Sequence, residues 1–270
     1  MFRRICLTVL AAVATCACAQ DASPVTAALT RDEIRGATIS EALSLPNPGE
    51  LFAAFNKLGK PDWSSMFRKP PSGTYTNRPQ LALNLGALIA DGYLAAEAQE
   101  KQQVKNISRE IKTLAKGLGL EQDVVNRSNS ISDFADGRQW EAVDQELDAV
   151  QNELSVAMSA HQDRELVTLM ALGGWLRAIE VVSGYLAEHY TTEGAKALRQ
   201  PAVCGYFSAR IGAMPAKMQA APLVAELHRG LPEIENLLSF APEHPPIVED
   251  VRKLNLAANN IVAAMAARKQ

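Results

Sequence analysis

Apolar residues recur along this chain with two different helical signatures, and the contrast between them predicts the architecture. Val104, Ile107, Ile111, Leu114 and Leu118 step by three and four residues, as do Trp140, Val143, Leu147, Val150, Leu154 and Ala157, and again Ile247, Val251, Leu254, Ala258, Ile261 and Met265. Each set is a narrow seam on one face, so each helix packs on one side and meets water on the other. Around the second seam, Glu141, Asp144, Asp148 and Gln151 read as the solvated face. The runs LALNLGALIADGYLAAEA (81–98) and GGWLRAIEVVSGYLAEHY (173–190) are instead apolar or small around almost the whole circumference, which marks helices enclosed by protein.

Neither enclosed run reads as a membrane span. The first would bring Asn84 and Asp91 into hydrocarbon and the second Arg177 and Glu180, each at a cost on the order of 3 kcal/mol at mid-bilayer. They are therefore expected at the centre of a bundle, with Leu85, Leu88, Val182 and Leu186 buried and Glu141 and Asp148 outside. Both runs contain GYLA, but four common residues do not establish a duplication, and no solenoid period is visible.

Punctuation fits this plan. Asn77 ahead of Pro79 opens the first central helix, GLGL at 117–120 stops the next one, and DGRQ at 136–139 reads as a D-x-x-Q capping pattern before the Trp140 seam. Pro201, Pro215, Pro222 and Pro232 are expected to cut 200–240 into short helices, and APEHPP at 241–246 is a loop. Alternating strand patterns are absent. The fold class is all-α, a bundle of about seven main helices with two central apolar ones, occupying residues 77–268. Residues 20–76 form an irregular N-terminal segment. TRDE at 30–33 and NPGE at 47–50 resemble capping boxes there, the second opening a short helix that ends at Gly59. A proline-rich strap follows from 60 to 79, and Trp63, Phe67 and Tyr75 are expected to pin it to the core.

The N-terminus adds a destination. Arg3 and Arg4 precede an apolar stretch and an A-x-A pair at Ala17 and Ala19, the layout of a secretory signal peptide over residues 1–19. Export to a periplasmic or extracellular location is expected, with cleavage after Ala19. Cys16 and Cys18 keep open a lipid-anchored alternative, in which an acylated cysteine holds the chain to a membrane. A chain cut after Ala19 retains only Cys204; one thiol makes no internal bridge, and its apolar setting, PAVCGYFSARI, points to packing.

Composition changes the picture only by exclusion. With 270 residues, 47% of them hydrophobic, the chain can bury a sizeable core, and a formal charge of −3 without basic runs offers nothing to a nucleic acid. No H-E-x-x-H, G-x-S-x-G, phosphate-binding glycine loop or haem-attachment motif occurs, so no catalytic residue and no cofactor are assigned. His161 with Glu165, and His189 with Glu193, have a spacing that suits a shared metal, but both lie at helix ends and read as solvated termini, so no metal is assigned.

What remains is a set of polar residues on the central helices: Asn84 and Asp91 one heptad apart on the first, Arg177 and Glu180 on one side of the second, with Gly173 and Gly184 beside them to allow close approach. Buried polar groups need partners. Either Asp91–Arg177 or Arg177–Glu180 is an ion pair that fixes helix register, or the four residues form a polar patch on the wall of an interhelical cavity that takes an apolar small molecule. The leading functional reading is an exported scaffold or interaction protein with a protein partner. A carrier or sensor of an apolar ligand is the alternative, and an enzyme of unrecognised type the third.

Overall fold

The computed structural model describes residues 47–59, 61–69 and 75–267, and every regular element among them is helical. The chain forms α1 (Pro48–Gly59), a 3-10 turn (Trp63–Met66), α2 (Arg78–Glu97), α3 (Lys101–Leu118), α4 (Glu121–Asp136), α5 (Trp140–Ala160) and α6 (Arg164–Glu188). After these come α7 (Thr192–Ala197), α8 (Pro201–Gly212), α9 (Ala216–Gln219), α10 (Pro222–Leu238) and α11 (Val248–Ala266). The signal layout, Cys16, Cys18 and the TRDE box lie outside the described residues.

The two apolar runs, α2 and α6, pack directly on each other at the centre, and the other helices surround them. Leu85, Leu88, Val182 and Leu186 are buried, and Glu141 and Asp148 are exposed. The contact at the crossing is backbone to backbone. A Cβ on Gly86 would fall 1.8 Å from the Met170 carbonyl oxygen, and one on Gly173 would fall 2.0 Å from that of Leu83. Only glycine permits this approach. Gly184 has a different role, since a Cβ there would meet the Asn255 amide at 3.1 Å. By length and composition α6 could cross a membrane, yet most of it is enclosed by the surrounding helices.

Helices α3, α4 and α5 lie on one flank, where the Ile107 and Leu147 seams close over α2. On the other flank α11 packs along α6, and α10 joins α11 to α8. Helix α1 lies across α2 and α6, burying Leu51, Phe52 and Phe55. In the strap, Trp63 and Tyr75 are buried and Phe67 is half-buried. Trp63 packs between Phe52 and Tyr185, with ring centroids 5.3 and 5.9 Å apart.

The turns from α2 to α6 share one device. In each, a residue with left-handed backbone, Gln99 (φ 56°), Gly119 (φ 82°), Arg138 (φ 55°) or Gln162 (φ 61°), follows the helix end. The next N–H then reaches back to a carbonyl of the last turn: Glu100 to Ala95, Leu120 to Ala115, Gln139 to Phe134 and Asp163 to Met158. These are Schellman-type ends, and three use a residue other than glycine. The D-x-x-Q reading at 136–139 is corrected accordingly. Gln139 is the N-cap of α5 without a side-chain cap bond, and Asp136 binds Lys105 at 2.7 Å and Lys101 at 3.4 Å. The break expected at Pro232 is also corrected, since Pro232 lies inside α10. The buried stripe of Val224, Leu227, Leu231, Ile234 and Leu238 holds that helix across it, offsetting the missing N–H. Asn77 does cap α2, accepting from the Gln80 N–H at 3.3 Å, and Asn47 caps α1, accepting from that of Glu50 at 2.8 Å.

Candidate functional site

Three of the four polar residues singled out on the central helices meet in one network. Asp91 is presented by α2 and Arg177 by α6, and Arg177 Nε donates to Asp91 Oδ1 at 2.7 Å. One helical turn on, Glu180 accepts from Arg177 Nη1 at 3.0 Å. Both readings of the ion pair therefore coexist on one guanidinium. Arg177 is 3% exposed and Asp91 6%, so neither charge is balanced by water.

The strap completes the site with groups that no spacing in the sequence connects to it. Arg68 Nε donates to Asp91 Oδ2 at 2.9 Å, and Arg177 Nη2 donates to the Met66 carbonyl at 2.9 Å. Two guanidiniums thus face two carboxylates, with Asp91 on α2, Arg177 and Glu180 on α6, and Arg68 on the strap. Asn255 and Asn259 of α11 add amide bonds to the Glu180 carbonyl at 2.8 Å and to Glu180 Oε1 at 3.0 Å. Burial pushes the Asp91 carboxyl upward, but the charges of Arg177 and Arg68 and their hydrogen bonds outweigh it and hold it below the usual carboxylate range. Burial disfavours the Arg177 cation in the same way, and Asp91 and Glu180 more than restore it.

Asn84 sits elsewhere, two turns earlier on α2 and fully buried. Its Nδ2 donates to the Met265 carbonyl at 2.7 Å and to that of Gln80 at 2.9 Å, while its Oδ1 has no hydrogen-bond partner among the described residues. It belongs to a cap on the last helix. Gln80 Nε2 reaches the Met265 and Ala267 carbonyls at 2.9 and 2.7 Å, and the Tyr75 hydroxyl reaches that of Ala266 at 3.2 Å. The terminal carbonyls of α11, which have no partner within the helix, are satisfied by the start of α2.

Two open features flank this core. A shallow pocket of about 160 Å³ touches the outer edge of the network at Arg68, Lys69, Glu180 and Asn259; Asn84, Asp91 and Arg177 are not on its wall. A groove of about 770 Å³ opens between α4 and the end of α5, lined by Asp123, Arg127, Glu153, Val156, Ala157 and His161. Arg127 is already held there by Glu153 at 2.8 Å and Glu146 at 3.2 Å. The His189 ring stacks on Tyr185 at 4.6 Å, and no cluster of three or more metal-ligating side chains occurs among the described residues. Cys204 is buried, its thiol 3.3 Å from the Leu231 carbonyl and pushed up in pKa by burial and by Glu235, an environment that favours the unreactive thiol. Comparison with protein-family models, with curated proteins and with solved structures finds no match for the chain.

Proposed function

We propose that the protein is an exported helical scaffold that acts through its outer surface on a protein partner. The observation that carries this reading is the saturation of the central polar residues. Every charge on Asp91, Arg177 and Glu180 is answered by another charge or amide of the same chain, two cations against two anions. A ligand that took one of those bonds would leave the opposing charge buried and alone, at a cost of several kcal/mol, about 3 to 5. The central helices are therefore better suited to holding a rigid shape than to accepting a guest. The strap adds to this role, because Arg68 and the Met66 carbonyl tie it to both central helices at once. Export rests on the residues of the N-terminus alone: two arginines, an apolar run and A-x-A.

The test separates surface from interior. A photo-crosslinking side chain is placed in turn at Val156, Ile247 and Leu256, the most exposed large apolar positions among the described residues, and the protein is irradiated in its own host. The scaffold reading expects one discrete protein adduct from one of these positions. Absence of an adduct from all three, together with a small molecule retained by the host-purified protein in native mass spectrometry, overturns it in favour of the carrier.

A further inference from the structure

Where the strap meets α6 and α11, opposite charges face one cavity without closing on each other. The pocket of about 160 Å³ at the outer edge of the Asp91 network is walled by Arg68 and Lys69 from the strap, by Glu180 from α6, and by Asn259, Val262 and Ala263 from α11. Lys69 is exposed and makes no ion pair among the described residues; Glu180, on the same wall, pairs with Arg177 instead. The residues that follow Lys69, PPSGT at 70–74, contain no acid that could answer it.

Inward of the pocket the charges cancel, Asp91 and Glu180 against Arg68 and Arg177. Lys69 is therefore one positive charge in excess at the rim. Glu180 has capacity to spare, since its Oε2 accepts once from Arg177 and its Oε1 once from Asn259, and each carboxylate oxygen can accept twice. Asn259 spends its Nδ2 on that bond, which leaves its Oδ1 without a hydrogen bond among the described residues. Arg68 directs Nε to Asp91, and its Nη1 has no partner among the described residues. Acceptors for an ammonium thus lie on α6 and α11, donors for a carboxylate lie on the strap, and Val262 and Ala263 add aliphatic surface to the same wall.

We propose that this pocket binds a free α-amino acid with a short aliphatic side chain. Lys69 and Arg68 hold its carboxylate, Glu180 and Asn259 Oδ1 hold its ammonium, and its side chain lies on Val262 and Ala263. Such a molecule carries both charges on one carbon, so it bridges the gap that Lys69 and Glu180 leave open and breaks no bond of the network. A simple anion would meet Glu180 as a like charge, and a simple cation would meet Lys69. A peptide terminus brings only one of the two charges. The volume of about 160 Å³ is well below the roughly 300 to 1,000 Å³ of sites for drug-sized ligands, which favours a short side chain. Asp91 and Arg177 are not on the wall, so a ligand here leaves the rigid centre intact, and the inference stands independently of the protein partner proposed above.

Titration of the intact, isotope-labelled protein with L-valine, followed by two-dimensional amide NMR, tests this. Saturable shifts are expected at the amides of Lys69, Asn259 and Ala263, with a Kd of about 1 mM, in keeping with a ligand of so few atoms. Isovalerate, which lacks the ammonium, and isobutylamine, which lacks the carboxylate, are expected to bind about tenfold more weakly or worse. Lys69→Gln should weaken L-valine by about the same factor. Ala263→Phe, which fills the pocket from an exposed helix position and removes no charge, should abolish binding. Thermal unfolding of each variant close to that of the wild type shows that the loss is local. Absence of saturable shifts at these amides overturns the site, and so does L-valine binding that neither substitution weakens. Isovalerate or isobutylamine binding as tightly as L-valine overturns the assignment to an amino acid.

Discussion

Asp91 and Tyr93 stand two residues apart on α2 and project to roughly opposite sides of it, into regions that solve the same electrostatic problem in opposite ways. Around Asp91, two arginines meet two carboxylates, and the opposing charges hold Asp91 and Arg177 in their ionised forms although almost no water reaches either. Around Tyr93, the carboxyls of Glu97, Asp144 and Asp148 gather without a cation among the described residues, and the Asp144 carboxyl is pushed up to about 7. Burial opposes charge in both places; what differs is whether an opposite charge is supplied from another element. The pH dependence of the two regions therefore has opposite sign. Asp91, whose carboxyl is held low, contributes stability that is present above its unfolded value near 3.8 and is lost as pH falls through its folded value. Asp144 contributes stability that is present below 3.8 and is lost as pH rises to about 7.

The largest effect is expected where the balanced region is broken from one side. Arg177→Met leaves Asp91 with only Arg68 and leaves Glu180 without its guanidinium, so unfolding in urea at neutral pH should show a loss of about 3 to 5 kcal/mol. Adding Asp91→Leu should recover much of that loss, because Arg68 and Glu180 remain as one cation and one anion. If the double variant is no more stable than Arg177→Met, the network is not a mutual charge balance and the comparison fails. Arg68→Met should cost less, about 2 kcal/mol, in the range of a charge-assisted hydrogen bond, since Arg177 still holds Asp91. Limited proteolysis of that variant should also cut within the strap sooner than in the wild type.

In the acidic region the expected sign reverses. Asp144→Asn removes a charge that no cation among the described residues answers, and it should stabilise the protein at about pH 8 by about 1 to 2 kcal/mol, a figure reduced because Asp144 is only half-buried and solvent screens it in part. Near pH 4 the same substitution should change little, since the wild-type carboxyl is then protonated. Paired urea titrations at the two pH values measure the difference. Equal effects at both would mean that Asp144 acts through packing and not through its proton.

How much of this was legible in the sequence depended on the range of the interactions. The enclosed helices α2 and α6 could be read from their uniform apolarity, and the Asp91–Arg177–Glu180 contacts from the need of buried charges for partners. Arg68 could not be, because the strap that carries it has no period and closes on Asp91 from 23 residues away. Asp144 was read as solvated because it lies off the Leu147 seam; it is half-buried, and the charge of Glu97 that acts on it comes from α2, which α5 does not encode. The left-handed backbone at Gln99, Arg138 and Gln162 was not legible, since it is ordinarily announced by glycine. Pro232 gave a false one, since a well-packed stripe outweighed a single lost hydrogen bond.

The smallest effect should come from Asn84, which the sequence grouped with Asp91 and which the geometry separates from it. Its two donated bonds go to carbonyls of Gln80 and Met265, and Met265 is also served by Gln80 Nε2 at 2.9 Å. Its Oδ1 is buried without a partner, a standing cost that offsets part of what the two bonds contribute. Asn84→Leu removes both the bonds and the unpartnered oxygen at similar volume, so thermal unfolding should change by less than about 1 kcal/mol. Asn84→Asp, by contrast, would put an uncompensated anion beside the carbonyl end of α11, where the helix dipole is already negative, and should cost more. A loss for Asn84→Leu as large as that for Arg177→Met would put Asn84 in the balanced network after all, and the division of α2 into one charge-compensated and one proton-holding side would have to be redrawn around it.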